Sequence, residues 1–239
     1  MSVSLRTAAA AAVLGYTALQ VLGRTAGSTA NERHKVLPGD EVVQHPNAVT
    51  NHALTIPAPP EQIWPWLMQM GWHRGGYYTP PWVDRVFFPA NWPSLDVLNP
   101  KLTRELVRGD TIPDGPPGTA WYVVHTARAP ETLVLHSTTH VPQAWQARGA
   151  RVDWTWTFQL TRLPRQGTRL QLRVRGLARP WWFAAAYVLV IVPADYFMAT
   201  GMLRGLRRRA CSSDEQTGQD TRAQKWNLRR RRQPNLGTS

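Results

Sequence analysis

Between Arg151 and Leu160 the chain alternates without a break: Val152, Trp154, Trp156, Phe158 and Leu160 fall on one side, and Arg151, Asp153, Thr155, Thr157 and Gln159 on the other. A two-residue period marks an extended strand with one face turned to a core and one to water. The next apolar run repeats the pattern, with Leu170, Leu172 and Val174 opposed to Arg169, Gln171, Arg173 and Arg175. Together with 118–126 and 131–139, which are rich in β-branched and aromatic residues and bounded by Gly, Pro or charged turns, these runs predict four antiparallel strands at 118–126, 131–139, 151–161 and 168–176. Each of the two clean strands is expected to bury one face and wet the other.

The flanks differ in period. A short strand is predicted over 49–56, followed by a helix over 60–70, where Pro60 suits the first turn and Glu61 the positive end. Pro65 must sit in the opening turn of that helix or kink it. Residues 71–100 are rich in Gly, Pro and Trp and are expected to be irregular, with at most a short helix near 81–88. Asp110 and Asp114 read as turns around a brief strand. The last ordered element runs from Trp181 to about Arg209. Its first 23 residues are long enough to cross a bilayer, but they include Pro193 and Asp195, and a buried aspartate is costly in lipid. The preferred reading is a long helix laid across the sheet, whose uniformly apolar surface could also meet a membrane.

With 239 residues, one core with appendages is the expected organisation. A single cysteine, Cys211, excludes an intrachain disulfide. The 17 uncharged residues from Thr7 to Gly23 predict a helix that is either an uncleaved anchor, the preferred reading, or a signal peptide. More basic residues follow that segment than precede it, which favours a cytoplasmic domain on a single-pass or two-pass membrane protein. The expected divisions are 1–25 as anchor, 26–39 as linker, 40–209 as the folded domain and 210–239 as a basic disordered tail. Net charge is +13, and from Arg204 onward ten basic residues face three acidic ones. That tail could meet anionic lipid, as an envelope scaffold would require. Nucleic acid is not an expected partner, because no helix-turn-helix, zinc-finger or RNA-recognition signature is present and Arg outnumbers Lys 25 to 3, as GC-rich coding produces.

The order of elements, with NHALTIPAPPEQIWPWLMQMG at 51–71 and VPADYFMATGMLRGLRRRA at 192–210, resembles the START-like superfamily, also called SRPBCC or polyketide cyclase/dehydrase and lipid-transport proteins. The stretches WHRGGYYTPPWVDR at 72–85 and RVDWTWTFQL at 151–160 resemble its membrane-associated actinobacterial members. The resemblance covers about residues 36–210. It implies an α+β helix-grip fold, in which an antiparallel sheet wraps a long C-terminal helix. It also implies a cavity between them for a lipid or polycyclic compound. Because the superfamily spans carriers, receptors and cyclases, it does not fix the chemistry.

Trp64, Trp66, Tyr78, Trp121, Trp154, Trp156 and Phe158 are the expected ligand-binding side chains, although any one Trp more often simply fills a core. The densest polar cluster is His73, Arg74, Tyr77, Tyr78 and Asp84. There His73 could act as a general base oriented by Asp84, with Tyr77 nearby, in a cyclase or dehydratase. The plainer reading is a Gly75–Gly76 turn held by Asp84 pairing with Arg74 or Arg85. His136 and His140 are spaced too widely on a strand for a metal, no cofactor fingerprint is present, and Asp153 is expected to pair with Arg173. The leading expectation is membrane-associated binding of a hydrophobic small molecule.

Overall fold

The computed structural model describes the backbone of residues 3–87, 93–164 and 167–231, and side chains over 6–86, 93–164 and 167–212. Six strands form one antiparallel sheet: β1 (Ala48–Ile56), β2 (Thr111–Pro113), β3 (Trp121–Arg128), β4 (Thr132–Ser137), β5 (Arg151–Arg162) and β6 (Thr168–Arg179), in the order β1-β6-β5-β4-β3-β2. The helices are α1 (Val3–Thr25), α2 (Ala30–His34), α3 (Pro60–Met68), α4 (Pro81–Phe87), α5 (Gln143–Gln146), α6 (Trp181–Ala186) and α7 (Val192–Arg231), with a π-turn at Tyr187–Ile191 joining the last two. This is the helix-grip arrangement. The expected strands are present, β2 being the brief strand between Asp110 and Asp114. Pro65 lies inside α3, and the reach of α4 to residue 88 falls outside the described residues.

The alternating residues of β5 and β6 build the core as their period requires. Phe158, Leu160, Leu170 and Leu172 are buried against Ile63, Leu67, Met202, Leu203 and Leu206 of α3 and α7. Gly205 permits this approach, since a Cβ there would lie 1.9 Å from the Tyr78 carbonyl oxygen.

The opposite face departs from expectation, because it is not wet. Residues 26–43, read from sequence as largely a linker, lie across it as a strap, with Leu37 and Val43 buried. Arg173, 3% exposed, is the fastening. Its Nε donates to Asn51 Oδ1 (2.7 Å), Nη1 to Lys35 O (2.8 Å) and Asp40 Oδ2 (2.6 Å), and Nη2 to Glu32 O (2.8 Å) and Arg33 O (3.1 Å). All five guanidinium N–H groups are thereby used. Asp153, expected to pair with Arg173, instead meets His136 Nε2 at 2.7 Å, because the β5–β6 register sets Asp153 opposite Leu177 and Arg173 opposite Thr157, four residues away. Arg169 holds Glu32 through Nε at 2.7 Å, and Gln171 Nε2 donates to Glu32 O.

The N-terminal helix is docked. Pro193 has no N–H to give the carbonyl of Leu189 one turn back, and Val192 N–H bonds to Tyr187 O, which opens the π-turn and strands Val188 O. Two side chains of α1 fill the gaps: Tyr16 OH donates to Leu189 O (2.7 Å) and Gln20 Nε2 to Val188 O (3.0 Å). Gly23 then comes so close that a Cβ would lie 2.0 Å from Val192 O. The sequence reading ends order at Ala210, whereas α7 continues to Arg231. No proline falls between Pro193 and Pro234, so nothing local breaks the helix.

Two outcomes follow. Arg173→Met takes from Asp40 its nearer counter-charge, leaving Arg175 Nε at 3.8 Å, and strips the donors from three strap carbonyls, so it should destabilise the fold by about 3–5 kcal/mol in denaturant unfolding. The hydrogen bond from Arg169 holds the Glu32 carboxyl down to about 2, so this contribution is complete above pH 4.5 and is lost as pH falls from there toward 2. Amide exchange over 30–43 should accelerate across that window before the core strands exchange.

Candidate functional site

A cavity of about 410 Å³ opens between the inner face of the sheet and the first half of α7. Tyr77, Tyr122, Trp154 and Trp156 line it on one side, Ile191, Met198 and Met202 on the other. A smaller space of about 40 Å³ continues inward, sharing Trp154, Trp156, Ile191 and Met198 and adding Thr50, Tyr187 and Asp195. The helix beside it is tied at one place. Asp195 Oδ2 accepts from His52 Nε2 of β1 at 2.8 Å, with His52 wholly buried, so the costly aspartate is paired inside the core. On both sides of that tie the chain packs on the sheet, Leu203 and Leu206 after it and Tyr187 and Val192 before it, and the cavity opens along Ile191, Met198 and Met202.

At the outer end lies a polar cluster that sequence reasoning dispersed. His140 Nε2 donates to Asp114 Oδ2 at 2.7 Å, and His140 Nδ1 shares a proton with Ser137 Oγ, also at 2.7 Å. Both members of the ion pair are about nine-tenths buried. The imidazole is held between Tyr122 and Trp154, with ring centroids 4.7 and 4.8 Å away. β2 and β4 are each antiparallel to β3, so both end at the start of β3, where Pro113 faces Trp121. That topology brings Asp114, just after β2, beside His140, just after β4. Tyr77 OH donates to Pro113 O at 3.1 Å. Burial, and then the Asp114 charge, push the Tyr77 hydroxyl well above its usual range, and burial does the same to Tyr122. Both phenols therefore stay protonated as donors.

Of the residues expected to form a site, Tyr77, Trp154 and Trp156 line the cavity, and the others lie elsewhere. Tyr78 is 1% exposed and anchors its loop, its OH donating to Trp66 O at 2.6 Å and its ring lying under Arg209. Trp66 and Phe158 are core, Trp64 is buried on α3, and Trp121 sits partly exposed at the start of β3. His73 is an exposed residue stacked on Trp72, and Asp84 accepts from Thr79 Oγ1 with its carboxyl raised by burial. Arg74 donates to Met68 O and Met70 O, closing the end of α3. The structure thus does not gather His73, Asp84 and Tyr77 around the cavity mouth. Among the described residues no group of three or more His, Cys, Asp or Glu converges as a metal site requires, and His136 and His140 engage different carboxylates.

No family model and no curated protein matches the chain. Solved structures that are similar include a hypothetical protein from Helicobacter pylori, at 10% identity, TM-score 0.45, covering 73% of this chain and 95% of that one. A Thalictrum norcoclaurine synthase point mutant with a transition-state analogue has 10% identity and TM-score 0.42, covering 70% and 96%. An HSP90 activator from Plasmodium falciparum has 12% identity and TM-score 0.32, covering 53% and 71%. Likenesses this distant carry no ligand or chemistry across to this chain.

Truncating either member of the outer pair leaves the other charge or imidazole buried alone. His140→Ala and Asp114→Ala should each destabilise the protein by about 3–5 kcal/mol. The double variant should cost less than the sum of the two, which a double-mutant cycle by thermal unfolding measures.

Proposed function

We propose that the protein binds a hydrophobic small molecule, a lipid or a polycyclic compound, in the cavity between sheet and C-terminal helix, and that it does so at a membrane surface. The observation that carries this reading is the position of Ile191. It lines the cavity and is also 40% exposed, beside Leu189 and Val190. Through the Tyr16–Leu189 bond these residues adjoin α1, whose Val13, Leu14 and Val21 are more than half exposed. One apolar surface therefore runs from both helices to the cavity mouth, and soluble proteins seldom leave such a surface to water.

The direction of the helices supports the same placement. Tyr16 meets Leu189, Gly23 meets Val192, and Leu22 and Ala26 share a groove with Thr200, Leu203 and Arg204. α1 and the C-terminal helix thus run side by side in one direction, apolar at their first halves, with Arg24 and Arg204 toward the other end. Basic groups flanking an apolar surface suit lipid headgroups. The helix 181–212 is also long and apolar enough to cross a bilayer, with 28% of its most apolar window buried. The lining, with Trp, Tyr, Met and Ile and no Lys or Arg among its described residues, favours an apolar ligand. A cyclase-like reaction would use acid–base groups at the cavity; of the three expected from sequence only Tyr77 lies there, and the His140 and Asp114 that also line it are engaged with each other.

Organic extraction of the full chain purified from membranes, followed by mass spectrometry, tests the reading. Wild type, His73→Ala and Asp84→Ala should release the same apolar compounds, whereas Met198→Trp, which fills the cavity, should release at least about tenfold less. Identical extracts from wild type and Met198→Trp would overturn it. Release from vesicles by salt alone would instead favour a scaffold held by its basic tail.

A further inference from the structure

We infer that the cavity receives a neutral hydrogen-bond acceptor, a ketone or ester carbonyl carried by an otherwise apolar ligand, with Tyr122 and Trp154 as its donors. This rests on the ligand-binding reading above and goes on to name the chemistry of the ligand. Two side chains that line the cavity carry a buried polar atom with no hydrogen-bond partner: Tyr122 OH and Trp154 Nε1. Tyr122 is completely buried, and its ring stacks on that of Trp154 with centroids 6.3 Å apart. Buried polar groups in native proteins are nearly always paired, so two orphan donors on neighbouring rings of one space mark a missing partner.

The kind of partner follows from what is left over. Trp Nε1–H can only donate, and a protonated phenol surrounded by apolar rings offers its proton, so the missing group accepts. A cation would leave both donors unsatisfied, even though the aromatic rings would tolerate it. An anion is disfavoured because Asp114 and Asp195 stand at either end of the space and no described Lys or Arg lines it. Both carboxylates are already engaged by His140 and His52. A neutral carbonyl oxygen, with two lone pairs for two donors, meets every condition. The cavity of about 410 Å³ that both donors line has room for such a group and the apolar body that carries it.

Three rigid tricyclic probes of the same outline separate these cases: 9-fluorenone, fluorene and fluorene-9-carboxylate, bound to the full chain in equilibrium dialysis against a detergent-matched blank. Fluorenone should bind wild type roughly 3- to 10-fold more tightly than fluorene, as one net hydrogen bond provides, and the carboxylate should bind most weakly. Tyr122→Phe removes only the orphan hydroxyl, so the ratio of fluorenone to fluorene affinity, measured within the one folded variant, should fall by about 3-fold or more from the wild-type ratio. Equal binding of fluorenone and fluorene to wild type overturns the inference and leaves the ligand-binding reading standing. A preference unchanged in Tyr122→Phe also overturns it. Failure of all three probes to bind, with no apolar compound in the extracts, overturns both.

Discussion

The missing amide hydrogen of Pro193 governs where the long helix can go. Without it the backbone widens into a π-turn, two carbonyls lose their helical partners, and a second helix must come close enough to supply donors. α1 supplies them through Tyr16 and Gln20, and Gly23 allows the contact. Two residues after the proline, Asp195 finds His52 on the edge strand. The bend and the tie together fix the path of the helix over the sheet, and the cavity opens along the face that carries Ile191, Met198 and Met202.

How much of this could be read from the chain depends on the range of the interaction concerned. β5 and β6 were legible because burial repeats every second residue, and the strand at β2 because two turn-forming aspartates bracket it. Pro193 and Asp195 stood out as misfits in an apolar run, but their partners Tyr16, Gln20 and His52 lie at least 140 residues away and carry no local mark. The strap was illegible for a different reason. Its acceptors are mostly main-chain carbonyls, which every residue has, so a polar and aperiodic stretch is what the sequence displays. Asp114 looked like a turn residue and His140 like the end of a strand shared with His136, and only the parallel relation of β2 and β4 unites them.

The same reasoning explains why the His73–Asp84 cluster misled. Closeness in sequence within a Gly-rich loop gives proximity without direction. Here the loop turns Tyr77 inward, Tyr78 into the core and His73 outward, with His73 and Tyr78 both at positive φ. Such backbone costs about 1–3 kcal/mol per residue and persists only where packing enforces it. For Tyr78 the enforcement is visible in its bonds to Trp66 and Ser94. Beside Tyr77, the polar cluster at the cavity is built from Tyr122 of β3, Trp154 of β5 and the residues just after β2 and β4, all held by the sheet.

Arg173 reaches the strap at residues 32, 33 and 35 through carbonyl oxygens and only at Asp40 through a side chain. Evolution can therefore rewrite the amino acids at 33 and 35 freely, provided the path of the chain is kept. Among distant descendants of such a protein, the arginine would outlast the letters it grips, and this segment would look like noise in a comparison of sequences while remaining a fixed part of the architecture.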